Sequence, residues 1–369
     1  AFGFFAGMLV SAFLLLFAVY GFEVKRPFDD PHVAQVYSTR ELWQRERYPN
    51  LPKVIAAAQA FSDPATTSGQ WLYNFFTSVR IPAYTYLRGL SDVVWHNYWG
   101  HDAYLLGKYS VAGWWWYFPF AFLVKTPLAT FIVMLLALLL FFQLFRQRYV
   151  RYAMHEHTRT ATLRRALASI KPSYLLLTIP PLVYFAASMM SHINLGVRHL
   201  LPVYPFLFIL CGGVMRARCR RPHLTRIWNT VIAALLLLFL VSSFSIYPHY
   251  LSYFSELAGG ADKGAKYLTD SNLDWGQELK RLGYFMRERN IPFVYMTYFG
   301  QAPMDYYLPD VRYLPGSDEP ERIQALDGWV AISATALYDK DRRYAWLQQR
   351  IPTVKVGYAI FLYDLRKER

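Results

Sequence analysis

Long apolar segments restrict the fold of this 369-residue chain more than any other feature. A helix needs about 20 mostly apolar residues to cross the hydrocarbon core of a bilayer. Five segments are candidates: residues 1–20, 118–145, 174–190, 203–215 and 227–247. The fourth of these, 203–215, is short and must extend into its flanks to span. The chain is also 54% hydrophobic, above the roughly 45–50% of soluble domains. The pattern predicts a polytopic α-helical membrane protein with about five spans.

The first apolar segment, AFGFFAGMLVSAFLLLFAVYGF, has neither an initiator methionine nor basic residues at its start. A secretory signal peptide begins with a positively charged region. The segment is therefore typical of a transmembrane helix whose beginning is missing. We expect the chain to be the C-terminal portion of a longer protein.

The charges of two connecting segments predict the orientation in the membrane. Residues 146–173 and 216–226 contain twelve Arg and Lys against a single acid. Basic clusters of this kind either bind nucleic acid or mark cytoplasmic loops. Because both clusters lie between apolar spans, we favour the topological interpretation and expect no nucleic-acid partner. Residues 21–117 and 248–369 are then extracytoplasmic.

These boundaries predict four parts along the chain. A transmembrane helix at 1–20 precedes an extracytoplasmic loop domain with short helices at 21–117. A region of four spans at 118–247 follows, and an extracytoplasmic α/β domain occupies 248–369.

The predicted C-terminal domain alternates between strand and helix patterns. IPFVYMTYF, DGWVAIS and YAIFLYDL are rich in β-branched and aromatic residues and are predicted strands, with RRYAWLQQR as a helix before the last. The segment DSNLDWGQELKRLGYFMRERN predicts an amphipathic helix. Trp275, Leu279, Leu282 and Met286 would share its apolar face.

Lys125 is unusual because it lies within the predicted span 118–145. An ionisable side chain at the bilayer centre costs at least about 2.5–3.5 kcal/mol and marks a functional candidate. Alternatively, Lys125 extends its ammonium to the interface. Pro127 also permits a third arrangement, in which the span starts later and PFAFLVK is a re-entrant or interfacial segment.

The same predicted membrane level also contains Lys108, His192, Arg198 and His199, together with Tyr104, Tyr109 and Tyr204. Arginine binds phosphate bidentately and lysine binds it as a point charge, so these cations suit a lipid-linked phosphate. Salt bridges between loops, or attraction to anionic lipid headgroups, are the alternative. The tryptophans at 114–116 are typical of an interfacial belt, although a sugar- or lipid-stacking role remains open.

Signatures of soluble enzymes are absent from the sequence. It contains no Gly-rich phosphate loop, no GxSxG turn and no paired CxxC motif. HEH at 155–157 lacks the i, i+4 histidine spacing of a metal-binding helix. We expect neither a metal nor a cofactor.

GVRHLLPVYPFLFIL resembles the Arg-(Tyr/His)-x-Leu-Pro-x-x-Pro motif of the glycosyltransferase C superfamily, in its protein O-mannosyltransferase-like branch. HDAYLLGKYSVAGWWWYFPFAFLVKTPL and YLSYFSELAGGADKGAKYLTDSNLDWGQEL are similar to segments of bacterial lipid-carrier-dependent glycosyltransferases. The resemblance covers roughly residues 80–290. It implies a multi-pass protein of the bacterial inner membrane. Such enzymes transfer a sugar from a polyprenyl-phosphate donor to an acceptor on the extracytoplasmic face, with inversion.

The resemblance also implies which residues border the donor. It assigns Arg198 and His199 to the outer end of a span that borders the donor, with Lys125 at a comparable level. Its charge makes Lys108 a further expected phosphate-binding residue. Position near the same membrane level makes Tyr104, His192, Tyr204 and Trp115 the expected substrate-lining residues. The family's catalytic acid lies in an earlier extracytoplasmic loop, so we expect it before residue 1. We do not assign that role to Asp29 or Asp30.

Two other functions remain open. A non-catalytic membrane scaffold derived from such an enzyme would have other membrane subunits as partners. The lipid-linked sugar donor and membrane lipids are the other expected partners. A transporter would show inverted repeats, and the sequence contains no internal repeat.

Overall fold

The computed structural model describes residues 2–26, 29, 66–155, 158–217 and 221–368. The short helices predicted between residues 30 and 63 lie outside the described residues. The chain consists of two compact units, residues 1–98 and 99–369.

The first unit combines helices with a small antiparallel pairing. Its elements are α1 (Phe2–Val19), β1 (Val24–Lys25), α2 (Thr67–Ser78), β2 (Ile81–Pro82) and all but the last residue of α3 (Tyr84–Trp99). The carboxylate of Glu23 accepts hydrogen bonds from the backbone N–H of Thr85 at 2.9 Å and from its hydroxyl at 2.8 Å. Asp29 forms a 3.2 Å ion pair with Arg26. The first predicted span is helical in α1, and its membrane crossing stays a prediction.

Among the described residues of the second unit, four helical segments are long and apolar enough to cross a membrane. They are α5 (Leu128–Ala153), α7 (Pro172–Met189), the segment Val197–Met215 and α9 (Pro222–Phe244). In each of these segments, at most 22% of the apolar part is buried within the protein. Apolar side chains exposed along whole helices require a lipid environment. The chain is therefore a helical membrane protein.

The predicted span 118–145 is wrong in its starting point. Residues Tyr117–Lys125 form a separate short helix, α4, and the chain becomes extended at Thr126. Pro127 lacks the N–H that would continue α4, so α5 starts at Leu128 instead. Lys125 consequently lies before the span and not within it, as the arrangement with a later start predicts.

The basic segment 146–173 is also more regular than the predicted loop. Helix α5 continues through Arg146, Arg148 and Arg151, and α6 (Arg159–Ala168) follows it. The Arg148 guanidinium donates a 3.2 Å hydrogen bond to the Ser169 carbonyl.

The third span starts with a tight turn. Val197–Val203 is a 3₁₀-helix, and it continues into α8 (Tyr204–Gly212) and a second 3₁₀ turn, Gly213–Arg216. Pro202 and Pro205 each remove one N–H from the usual helical ladder, which favours this irregular beginning.

The four spans alternate in direction, so two sets of ends can be distinguished. The starts of α5 and of Val197–Met215 lie at the same end as the last residues of α7 and α9. Leu128 donates its N–H to the Glu256 carboxylate at 3.0 Å, and Ser255 donates its N–H to the Val124 carbonyl at 2.7 Å. Both basic connecting segments lie at the opposite end.

Residues after α9 lead into a mixed five-stranded sheet. Its strands are β5 (Val294–Thr297), β6 (Val311–Tyr313), β7 (Trp329–Ser333), β8 (Val354–Val356) and β9 (Ile360–Asp364), in the order β6-β5-β7-β9-β8. Strand β5 is parallel to β6 and β7, whereas β9 is antiparallel to β7 and β8. The three predicted strands are confirmed. The additional strands, β6 and β8, have only three residues each with a cation in the middle, a pattern without a strand signal.

Short helices precede or connect these strands, and a hairpin precedes α4. The helices are α10 (Leu279–Glu288), α11 (Met304–Tyr307), α12 (Pro320–Gln324), α13 (Ala334–Leu337) and α14 (Ala345–Gln348). The hairpin consists of β3 (Ala103–Leu105) and β4 (Lys108–Ser110).

Helix α10 buries Leu279, Leu282 and Met286 against the sheet, as predicted from their spacing. The prediction for Trp275 is wrong, because the helix begins only at Leu279 and the indole is 53% exposed. A left-handed Gly276 with φ of 79° bends the chain between these two positions.

Candidate functional site

Residues 270–278, which we call the junction segment, connect the membrane helices to α10. The segment begins with the 3₁₀ turn Asp270–Asn272 and contains two residues with left-handed backbone, Asp270 and Gly276. It lies against the start of the third span. Ser271 donates its hydroxyl to the Leu195 carbonyl at 2.6 Å.

Asn272 is the most highly bonded residue of the junction segment, and its side chain is completely buried. Its Oδ1 accepts the backbone N–H of Val197 at 2.9 Å. Its Nδ2 donates to the Tyr117 hydroxyl at 2.8 Å and to the Leu195 carbonyl at 3.3 Å. One side chain thus joins α4, the third span and the junction segment.

Lys125 contributes to the same connection. Its ammonium donates to the carbonyls of Asn272 at 2.5 Å and Leu251 at 2.8 Å, and lies 4.3 Å from the centre of the Phe254 ring. Burial lowers the pKa of the Lys125 amine to about 7, while both carbonyls favour its protonated form. Two of the three N–H groups of the ammonium are therefore occupied by backbone.

Arg198 is arranged differently from Lys125. Its side chain is exposed, and its guanidinium carbon lies 4.5 Å from the centre of the Trp275 ring. Among the residues that the structure describes, the guanidinium has no hydrogen bond and no ion pair within 4 Å. Its five N–H donors are available to a planar or tetrahedral anion.

Asp270 provides a negative charge close to Arg198. Its Oδ1 accepts the Ser271 backbone N–H, and its own N–H donates to the Thr335 hydroxyl at 3.0 Å. Burial raises the pKa of the Asp270 carboxyl, while the charges of His101 and Arg198 act in the opposite direction. Arg198 is therefore within electrostatic range of a half-buried carboxylate without being bonded to it.

His199 is half-buried, whereas its neighbour Arg198 is exposed. Its ring lies 6.2 Å from that of Phe118 in an edge-to-face arrangement. Its Nε2 is buried and lacks a hydrogen-bond partner within the described part of the chain. Adjacent residues of the motif thus face different surroundings.

The other predicted site residues are spread over the unit. Lys108 is exposed on β4, and Tyr104 is buried between the rings of Tyr109 at 5.2 Å and Tyr338 at 5.6 Å. The Tyr204 hydroxyl forms a 2.7 Å hydrogen bond with Thr126.

His192 and Trp115 are both exposed, Trp115 to 68%. Among the predicted site residues, the structure brings Lys125 and the backbone preceding Arg198 together at Asn272. It gives Lys108 and Tyr104 no contact with that group.

A second buried connection lies at the end of the junction segment. The Glu278 carboxylate is 1% exposed and bonds His249 at 3.0 Å and Arg281 at 2.8 Å. A Cβ on Gly357 would collide with that carboxyl group, so only glycine fits at this position. Through Glu278, the residues that follow α9 are thus bonded to the first turn of α10.

Sequence reasoning missed Asp270 and Asn272 as site residues and placed Trp275 on a helix face. The density of polar residues in DSNLDWGQE was the available signal, but helical periodicity in the following residues concealed it.

Known proteins give no guide to this site, because comparisons with models of protein families, with curated proteins and with solved structures find no match. Within the described ranges, no group of three or more His, Cys, Asp or Glu residues is placed to hold a metal ion. The exposed guanidinium of Arg198, which has no bonded partner among the described residues, is therefore the group of this site that is available to a ligand.

Gly196 offers a direct test of the contact between the third span and the junction segment. A Cβ at this position would lie 2.6 Å from the Ser271 hydroxyl and 3.3 Å from Asn272 Oδ1. We expect Gly196→Ala to displace the segment and to lower the free energy of unfolding by about 1–3 kcal/mol. Thermal unfolding in detergent would measure this loss.

Gly212→Ala is the matched control in the same span, because a Cβ there meets no atom within 4 Å. The helical position favours alanine, so its unfolding temperature should stay the same or rise. Equal unfolding temperatures for the two variants would contradict the close approach at Gly196.

Proposed function

We propose that this chain is part of a membrane glycosyltransferase that transfers a sugar from a polyprenyl-phosphate donor to an extracytoplasmic acceptor, with inversion. The main support is the exposed guanidinium of Arg198 at the start of an apolar helix. This group has no bonded partner among the described residues. The resemblance of GVRHLLPVYPF to the glycosyltransferase C motif supports the same residue. A lipid-linked phosphate combines the anion that Arg198 suits with the membrane location.

The placement of charges supports the proposed side of the membrane. Arg198 and the junction segment lie at the end of the spans opposite both basic connecting segments. Because short Arg-rich connections remain cytoplasmic, this end faces away from the cytoplasm. A bacterial inner membrane with an extracytoplasmic C-terminus fits this arrangement.

The proposed reaction is a displacement at the anomeric carbon of the donor sugar. The acceptor oxygen forms a bond to that carbon while the bond to the phosphate oxygen breaks, and the polyprenyl phosphate leaves with the electron pair. Arg198 would stabilise the negative charge that grows on the phosphate. The resemblance implies that a carboxylate of an extracytoplasmic loop takes the proton of the acceptor.

The test uses the full-length protein in lipid nanodiscs with synthetic polyprenyl-phosphate mannose and polyprenyl-phosphate glucose. The measured quantities are the release of polyprenyl phosphate, with water as the acceptor of the sugar, and the dissociation constant of sugar-free polyprenyl phosphate. We expect Arg198→Gln to slow release by about 100-fold or more, the usual effect of removing a donor to developing charge. Arg198→Lys should recover part of this loss, because it keeps the charge but not the bidentate geometry.

Arg322→Gln serves as the control, since Arg322 is an exposed arginine of α12 that lies outside the candidate site. Its variant should match the wild-type protein in both measurements. Unchanged release by Arg198→Gln would overturn the proposed role of Arg198. A wild-type protein that neither binds nor releases polyprenyl phosphate would instead favour the non-catalytic scaffold.

A further inference from the structure

Resting on the proposed function, we infer that Trp275 and Asp270 bind the sugar ring of the donor beside the phosphate contact of Arg198. The indole would stack on an apolar face of the ring, and the carboxylate would accept hydrogen bonds from its hydroxyl groups. The junction segment would then select the sugar, while Arg198 binds the part common to all such donors.

The first support is the position of the junction segment along the start of the third span. Ser271 bonds the Leu195 carbonyl and Asn272 bonds the Val197 N–H, at 2.6 and 2.9 Å. Residues 270 and 275 flank these two anchors. The Trp275 ring centre lies 4.5 Å from the guanidinium carbon of Arg198, and the carboxylate of Asp270 lies within range of its charge.

Trp275 is exposed although its backbone is firmly positioned. Its N–H donates to the Gln277 side chain at 2.8 Å, and the carbonyl of the following Gly276 accepts the Tyr298 hydroxyl at 2.8 Å. The Phe299 ring lies edge-on at 6.5 Å. The indole nevertheless remains 53% exposed with Arg198 over it. A rigid aromatic ring with an accessible surface suits an apolar face presented by a ligand.

Asp270 combines an unusual backbone with an incompletely bonded carboxylate. Its φ is 54°, a left-handed conformation that non-glycine residues rarely adopt and that often occurs at binding sites. The hydrogen bond from its N–H to Thr335 holds this conformation. Its Oδ2 accepts no hydrogen bond within the described residues, whereas Oδ1 accepts the Ser271 N–H. A free carboxylate oxygen can accept hydrogen bonds from hydroxyl groups but repels phosphate.

The three side chains therefore differ in the chemistry that each can bind. Arg198 offers donors and positive charge to an anion, Asp270 offers an acceptor to hydroxyl groups, and Trp275 offers an aromatic face. A sugar phosphate carries the three complementary features within one small molecule. A phospholipid headgroup without a ring would leave Trp275 without a matching surface.

The experiment compares binding of three lipids that share one carrier: polyprenyl phosphate, polyprenyl-phosphate mannose and polyprenyl-phosphate glucose. Dissociation constants are measured for the full-length protein in nanodiscs. We expect Asp270→Asn and Trp275→Leu to weaken binding of the preferred glycosylated lipid at least tenfold. Binding of sugar-free polyprenyl phosphate should stay within twofold of wild type.

The chosen variants preserve the fold. Asparagine adopts the left-handed backbone of residue 270 readily, and Trp275→Phe should recover part of the affinity that Trp275→Leu loses. Tyr306→Leu is the control for an exposed aromatic residue, because Tyr306 is 79% exposed on α11. Unfolding temperatures near that of the wild type would confirm that each variant is folded.

The failures of the two proposals are distinguishable. If the wild-type protein binds none of the three lipids, the proposed function fails. If it binds them and Arg198→Gln weakens all three, but the Asp270 and Trp275 variants change all affinities equally or not at all, only the sugar contact is overturned. Equal wild-type affinity for the carrier with and without sugar would overturn it as well.

Discussion

Asn272→Ala is expected to lower the free energy of unfolding by about 3–4 kcal/mol. The substitution removes the acceptor of the Val197 N–H and the donor to the Tyr117 hydroxyl and the Leu195 carbonyl, in a site without solvent exposure. Each buried polar group left without a partner costs roughly 1–3 kcal/mol. The measurement is thermal or denaturant unfolding of the protein in detergent.

Two further variants make this prediction specific to Asn272. Tyr117→Phe removes one of the same hydrogen bonds and should cost only about 1 kcal/mol. Gln301→Ala removes an exposed amide side chain of similar size and should leave the unfolding temperature unchanged. If Asn272→Ala behaved like Gln301→Ala, the proposed connection between α4, the third span and the junction segment would be wrong.

Asp274→Asn is expected to change how stability depends on pH. Burial raises the pKa of the Asp274 carboxyl from 3.8 to about 6, because the ionised form is poorly solvated at 1% exposure. The folded protein therefore binds this proton more tightly than the unfolded chain. The resulting stabilisation is fully present below pH 3.8, declines as the pH rises and is lost above about pH 6.

The rise of the Asp274 pKa from 3.8 to about 6 corresponds to roughly 3 kcal/mol. The Asp274→Asn variant has no carboxyl to ionise at this position, so the decline between about pH 4 and 6 should disappear. The amide can still accept the Gly276 N–H, as Asp274 does at 3.1 Å, but it loses the weaker 3.4 Å acceptor for Thr335. We expect a net gain of about 2 kcal/mol at pH 7.5 after this loss.

Unfolding temperatures of the two proteins, measured at intervals from pH 4 to 8, check this prediction. Asp318→Asn, an exposed position, reports any effect of buffer and detergent. A constant difference between the wild-type protein and Asp274→Asn at every pH would show that Asp274 ionises alike in the folded and unfolded states.

Much of the fold was predictable from the sequence because its signals are local. Apolar length indicates a span without knowledge of any partner, and the three predicted strands combine β-branched and aromatic residues over adjacent positions. Local signals also set the limits of prediction. Thr126 and Pro127 divide α4 from α5, yet the apolar composition continues across both residues.

The candidate site was only partly predictable because its contacts are distant in sequence. Arg198 and Lys125 were identifiable as cations near apolar segments, but their surroundings were not. Asn272 bonds Val197 across 75 residues and Tyr117 across 155. No periodic pattern within the junction segment indicates these distant partners. The prediction for Trp275 therefore rested on helical spacing alone and placed it on a helix face.

The long apolar segments, the small α/β region and the position of Arg198 and His199 just before an apolar run can all be read from the sequence. The different surroundings of Lys125 and Arg198 are visible only in the folded chain. Lys125 is occupied by the carbonyls of Leu251 and Asn272, whereas the Arg198 guanidinium is exposed over Trp275. Apolar length can be predicted from sequence because hydropathy is a property of each segment. The partner of a charge, in contrast, depends on which distant backbone groups the packed helices bring within hydrogen-bond distance.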